Sequence, residues 1–311
     1  MQRKTRIDAF GGTLLVTFSM LMGLNQVMIK LVNAGFQPVF QAGLRSACAL
    51  VPVLAFALLT RRKLSVTDGS FRPGLLCGAF FATEFMLLFV SLEYTSVSRA
   101  SLFFYTMPFW VAAAAHFLIP GERLTPVRLS GLALAVAGTA WALLDNAEPV
   151  SAYAMIGDLA CLVGAMLWAG IALLTRTTRL SRSTPVMQLT YQLSVSAVLL
   201  LAAAPLFGPL VREPTPVILG IFAFQVLVVV SVGFLTWFWI LSRYPASDMA
   251  SFGFLTPLFG VLFGWIMLDE PITVSIIGAL LLVSLGIVLV NRKPRNPAGA
   301  ADRFGARTSS P

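Results

Sequence analysis

Ten stretches of about twenty apolar residues, set apart by short polar breaks, constrain this chain more than any other feature. A bilayer core of roughly 30 Å is crossed by about 20 residues rising 1.5 Å each. Lipid offers no hydrogen bonds, so only helices or closed barrels satisfy the backbone inside it. The runs are 10–31, 39–59, 73–94, 98–119, 127–144, 153–175, 185–207, 217–241, 247–268 and 272–290. They predict an all-α membrane protein of ten transmembrane helices. Charge content agrees, because 11% of the 311 residues are charged where a soluble domain carries about 25%.

Lysine and arginine give an independent test, since cytoplasmic segments hold the excess. Of the 22, eighteen fall in the two tails and the loops after the second, fourth, sixth and eighth spans, and three in the alternate loops. Arg45 is left inside the second span. This asymmetry predicts both termini in the cytoplasm of a bacterial inner membrane. The basic start (Arg3, Lys4, Arg6) precedes a run too long for a cleaved leader, so it reads as a cytoplasmic segment, 1–9, before an uncleaved helix. The polar tail 292–311 has nothing to bury and reads as disordered. The +9 net charge belongs to membrane orientation; no basic face with aromatic residues suggests nucleic acid.

Catalytic chemistry finds little to work with. Cys48, Cys77 and Cys161 lie in apolar runs without paired or metal-ligand spacing, and His116 is the one histidine. No triad, zinc set or nucleotide fingerprint can be assembled, so no catalytic residue, metal or cofactor is expected.

The chain repeats itself at a lag near 148 residues. Pro38 and Gln41 match Pro185 and Gln188; Tyr94, Ser101 and Thr106 match Tyr244, Ser251 and Thr256; Pro108 matches Pro257; Glu122 and Gly138 match Glu270 and Gly286. Each half, 10–145 and 153–291, holds five spans. An odd number makes the second half enter from the opposite face, which predicts two inverted five-helix repeats, an architecture of secondary transporters that bind at the midplane.

The segment Tyr94-Thr95-Ser96-Val97-Ser98-Arg99-Ala100-Ser101, continuing to Thr106-Met107-Pro108 and Gly121-Glu122-Arg123-Leu124-Thr125, resembles the repeated core of the EamA-type transporters of the drug/metabolite transporter superfamily. Tyr244 to Pro257 with Asp269-Glu270-Pro271-Ile272-Thr273 is similar to its second copy, and Gly23-Leu24-Asn25 through Lys30, Pro38 and Arg45 to its first two helices. The resemblance implies ten helices, cytoplasmic termini and transport, often export, of amino acids or other small metabolites.

Ionisable groups inside a membrane cost about 2.5–3.5 kcal/mol on insertion scales, which makes each a candidate for function. Glu84 lies roughly 16 Å into the third span at 1.5 Å per residue, near the midplane. Arg45 lies in the second span. Either Arg45 faces a substrate carboxylate while Glu84 faces an ammonium group or a coupling proton, or the two form a buried ion pair. Asn25, Gln41, Tyr105, Trp168, Tyr191, Gln192 and Gln225 are candidates to line the same cavity, with interhelical packing as the alternative. Gln192 holds the repeat position of Arg45. Pro108 and Pro257 are candidate hinges, because proline removes a helical donor. Glu122 and Glu270 read as structural, each ahead of a capping threonine, Thr125 or Thr273. Gly131, Ala135, Gly278 and Gly286 suit close helix approach, within the bundle or in a dimer, leaving monomer and homodimer open. A small-molecule transporter is the leading reading. A lipid-processing enzyme or flippase is the alternative, a receptor lacks a domain to carry a signal, and a channel would show pore rings.

Overall fold

A computed structural model describes residues 7–62, 64–119, 124–144, 153–244, 249 and 252–291. Arg3, Lys4, Arg6, Glu122, Asp145, Glu148, the start of the expected ninth span at 247–248, Ser251 and the tail 292–311 lie outside them.

The described residues form helices and no named strand. In chain order they are α1 (Ala9–Asn33), α2 (Pro38–Leu59), α3 (Phe71–Tyr94), α4 (Val97–Phe104), α5 (Met107–Leu118), α6 (Pro126–Leu144), α7 (Ala154–Thr177), α8 (Pro185–Ala203), α9 (Pro216–Phe224), α10 (Gly233–Arg243), α11 (Leu255–Leu268) and α12 (Val274–Asn291). Among the described residues eight helices are long and apolar enough to cross a membrane, counting α4 and α5 as one span; Pro216–Val232 and Leu255–Leu268 are shorter apolar helices.

Starts are set by a repeated device. Gln37, Thr184 and Thr215 each accept a backbone N–H three residues on, at 2.6, 3.2 and 3.3 Å, and each is followed by a proline. The side chain satisfies one orphan donor, and the proline adds none while fixing a helical φ. Thr125 and Thr273 cap α6 and α12 the same way, at 3.3 and 3.2 Å, as their positions in the sequence suggest.

Two expected spans are not continuous α-helix. The run 98–119 breaks at Tyr105–Thr106, where the Thr106 hydroxyl donates to the Phe103 carbonyl at 2.6 Å and Pro108 stands in the first turn of α5. At that position proline leaves no broken bond behind it, so it starts a new helix rather than kinking an old one. Between α9 and α10, residues Gln225–Val232 wind as a π-helix, with the Ser231 hydroxyl donating five residues back to the Val226 carbonyl at 2.8 Å. Such widened turns sit in otherwise α-helical runs and re-aim side chains.

Helix α6 packs along α12, α3 along α7 and α8, α2 along α8, and α1 along α11; α4 lies between α7 and α11. Close approach at α6–α12 depends on glycine. A Cβ on Gly286 would fall 2.7 Å from the Gly131 carbonyl oxygen and 3.1 Å from the Phe109 ring, and one on Gly131 would fall 2.9 Å from the Gly286 carbonyl oxygen. Van der Waals contact replaces the hydrophobic effect as the glue between helices in lipid, so this fit matters. Across α2 and α8 the glue is polar, with Ser46 and Ser196 hydroxyls 2.9 Å apart and buried.

Candidate functional site

The polar interior is carried by faces of α2, α3, α8 and the π-segment. On α2, Gln41 and Arg45 are four residues apart and thus on one face; they are 0% and 4% exposed. On α3, Glu84 is 3% exposed and flanked by the ring ladder Phe81–Phe85–Phe89, with centroids 4.3 and 5.8 Å apart. The Arg45 guanidinium carbon lies 4.7 Å from the Phe85 ring centroid and 4.6 Å from that of Phe89. Ring quadrupoles attract a cation at that distance and hold the planar group without using its N–H donors.

Those donors meet no acceptor among the described residues. Glu84 makes no ion pair with Arg45 either, and its Oε2 is buried without a hydrogen-bond partner. Glu84 nonetheless acts at Coulombic range on Arg45, and on Tyr105 and Cys77. Tyr105 packs edge-to-face on Trp168, centroids 5.7 Å apart, while Trp168 stacks on Phe104 at 5.2 Å. Gln192 enters the same neighbourhood by donating to Cys77 Sγ at 3.5 Å. Arg45, Glu84, Tyr105, Trp168 and Gln192 therefore share one region.

A second group joins it through α2. Gln41 donates to Gln225 at 3.5 Å and Gln225 to Asn25 at 3.3 Å, an amide chain linking α2, the π-segment and α1. Gln41 Oε1 is buried and unpartnered. Tyr191 is placed elsewhere: its hydroxyl is 3.2 Å from that of Ser70, ahead of α3, and its ring covers Gly74. Pro257 is buried in the first turn of α11.

The region brings together two opposite charges, a buried amide oxygen without a partner, and aromatic rings. Among the described residues no group of three His, Cys, Asp or Glu could hold a metal ion.

Residues 9–144 and 155–292 each match the EamA-like transporter family. The chain belongs to that family. Among its relatives, an uncharacterized transporter, YoaV, of Bacillus subtilis (strain 168) is 24% identical over 277 residues, covering 88% of this chain and 94% of its own. A probable amino-acid metabolite efflux pump of Escherichia coli (strain K12) is 27% identical over 284 residues, covering 88% and 92%. A protein crystal structure superposes with a TM-score of 0.66 at 19% identity over 89% of this chain and 96% of that one, a likeness of fold. This EamA-like protein is an integral membrane protein of a transporter family.

Gln26 and Asp158 are among the buried polar groups of the EamA-like fold that sequence reasoning does not single out. Gln26 is 2% exposed; it accepts from the Ser101 hydroxyl at 2.5 Å and its Nε2 is unpartnered. Asp158, 0% exposed, accepts from Thr95 at 2.6 Å and from Arg99 Nε and Nη2 at 3.0 and 2.5 Å. An aspartate inside an apolar run was signal enough for Asp158. For Gln26, its place beside Asn25 was the available clue. Glu270 is structural, as its position before Thr273 suggests, but the helix it serves is a distant one. Its carboxylate caps α4, accepting from Val97 N–H at 2.7 Å and Ser98 N–H at 3.0 Å.

Proposed function

We propose that this chain is a secondary transporter, an exporter of a small dipolar metabolite such as an amino acid, working by alternating access around Arg45 and Glu84. The observation that carries the reading is that these two charges are buried on neighbouring helices without an ion pair between them, Arg45 resting on the Phe85 and Phe89 rings and Glu84 keeping a buried oxygen without a hydrogen-bond partner. Buried charges without hydrogen bonds are expensive. A zwitterion offers what both lack, a carboxylate for the guanidinium fork and an ammonium for the carboxylate, as charge-assisted bonds of about 1.5–3 kcal/mol each. Tyr105 and Trp168 wall the bound molecule, and Gln41, Gln192, Gln225 and Asn25 tune its polar rim.

The scaffold in this reading is two five-span halves, 10–145 and 153–291, inverted in the membrane, with both termini cytoplasmic. Packing supports it: α2 pairs with its repeat mate α8 and α6 with its mate α12, while α1 on α11 is answered by α7 on α4 and α5. A two-fold exchange of halves generates this pattern, and bundles related that way rock around a central site.

The test is uptake and efflux by the full chain in sealed vesicles, against amino acids, nucleosides, sugars, cationic drugs and a lipid-flipping probe, with and without a pH gradient. Saturable movement of a zwitterion that Arg45→Gln abolishes is the expected result, and its dependence on the gradient reports proton coupling. Movement of lipid alone, or of nothing by folded protein, overturns it.

A further inference from the structure

Glu270 does more than close a helix end. Helix α11 ends at Asp269, which takes the left-handed conformation with φ 52°. The turn aims the next side chain, Glu270, back over its own helix toward the start of α4. There its Oε1 accepts from Val97 N–H at 2.7 Å and from Lys30 Nζ at 3.3 Å, and its Oε2 from Ser98 N–H at 3.0 Å and Ser98 Oγ at 2.9 Å. One carboxylate near the chain's end thus takes four donors from its first third, at the positive end of a helix.

The surface beneath is built to part. Ser98 and Ser101 of α4 lie over Gly264 and Gly260 of α11, where an added Cβ would meet Ser98 Oγ at 3.1 Å and Ser101 Cβ at 2.8 Å. Along that line serine side chains rest on glycine backbone, beside the apolar cluster that holds Val97 and Ala100 of α4 and Val261 of α11. Parting the two faces along that line breaks the Ser98 hydrogen bonds to Glu270, which water entering the gap replaces. On its other side α4 is fastened to α7 through the Arg99–Asp158 pair, whose side chains are 13% and 0% exposed.

Helix α4 also ends where the transport site begins. It is eight residues long, about 12 Å at 1.5 Å per residue. Phe104 and Tyr105 at its far end meet Trp168, and Tyr105 lies in the field of Glu84. A ligand that shifts those rings moves a short rigid rod whose other end is held by Glu270.

We propose that the Glu270 cap on α4 is the latch of one gate: with it made, the end of the bundle where α1 finishes is shut, and opening that end consists of α4 leaving the carboxylate and the glycine track of α11. The inference rests on the alternating-access reading above, and its test needs no substrate. In full-length protein in nanodiscs, with Cys48→Ser, Cys77→Ala and Cys161→Ala as background, Ser101→Cys reports the α4–α11 seam through its rate of reaction with a membrane-impermeant maleimide. Ser196→Cys, at the α2–α8 contact, reports general loosening. Adding Glu270→Gln, which keeps the shape but loses the charge and one acceptor, raises the Ser101→Cys rate at least tenfold and leaves Ser196→Cys unchanged. Ser98→Ala, which deletes one bond, raises it two- to fivefold and decides the matter should Glu270→Gln not fold. Unchanged labelling at the seam, or equal rises at both positions, overturns the latch while leaving any measured transport standing. Gated labelling with no transported substrate keeps the latch and sinks the substrate assignment.

Discussion

Arg45 and Glu84 stand on neighbouring helices, 4% and 3% exposed, and do not bond to each other. Removing one strands the other in a medium that hardly solvates it, whereas replacing both by apolar groups of similar size is often neutral or stabilising. Glu84→Gln alone is therefore expected to lower the melting temperature of purified protein, and Arg45→Met with Glu84→Leu to restore or exceed it with transport abolished. Stability and transport moving in opposite directions in the double variant separates a working pair from a structural one. Transport surviving in that variant would remove both residues from the mechanism.

The guanidinium of Arg45 lies 4.7 and 4.6 Å from two ring centroids, a placement an ammonium on a flexible stem does not reproduce. Cation–π attraction is worth about 0.5–2 kcal/mol. Arg45→Lys is expected to cut kcat/KM for transport about tenfold while keeping the charge. Wild-type initial rates in vesicles would show that the ring stack is idle.

Asp158 is fully buried and spends both oxygens on Arg99, one of them also on Thr95. Breaking a buried pair from one side costs roughly 3–5 kcal/mol. Asp158→Asn should lower stability by about that amount, read as a fall in denaturant midpoint. A loss below about 1 kcal/mol would mean that water already reaches Arg99.

Two glycines make opposite predictions. At Gly286 a Cβ would approach the Gly131 carbonyl oxygen to 2.7 Å, whereas at Gly220 nothing lies within 4 Å. Gly286→Ala should destabilise by about 1–3 kcal/mol through overpacking, and Gly220→Ala should be neutral or stabilise by up to about 1 kcal/mol. Thermal unfolding of the two in parallel checks the α6–α12 contact with an internal control.

The amide chain invites a double-mutant cycle. Gln41 and Gln225 are 0% exposed and joined by a 3.5 Å bond, and interhelical bonds in membranes average about 0.6 kcal/mol. Gln41→Leu and Gln225→Leu should couple by about that much in stability. Coupling near zero in stability together with strong coupling in transport rate would assign the pair to the substrate.

Much of the fold is legible in the chain, and the rest is hidden for physical reasons. Hydropathy locates the helices because burial in lipid demands apolar length. Repeated capping threonines are equally plain, as in Thr125 and Thr273. The break at Tyr105–Thr106 is obscured because lipid rewards apolar residues whether or not the helix continues through them, so 98–119 reads as one run. The π-segment at Gln225–Val232 leaves no pattern, since one residue of slippage per turn barely disturbs a sequence apolar on every side. Arg45 and Glu84 stand out as charges in apolar runs. Which neighbours they meet is invisible, because Phe85 and Phe89 lie some forty residues along the chain from Arg45. Glu270 misleads by locality: a carboxylate ahead of a helix suggests that helix, and the N–H groups it caps are 173 and 172 residues away.

The pairing of α6 with α12 governs how the protein is made. Helix α6 emerges from the ribosome with a glycine face whose match, Gly286 of α12, is translated about 150 residues later, so the membrane must hold a part-finished molecule with that seam bare until then. Cotranslational insertion can place spans one by one, but this contact waits for α12. A nascent chain stalled before α12 would expose the Gly131 face to whatever surveys the bilayer for incomplete proteins.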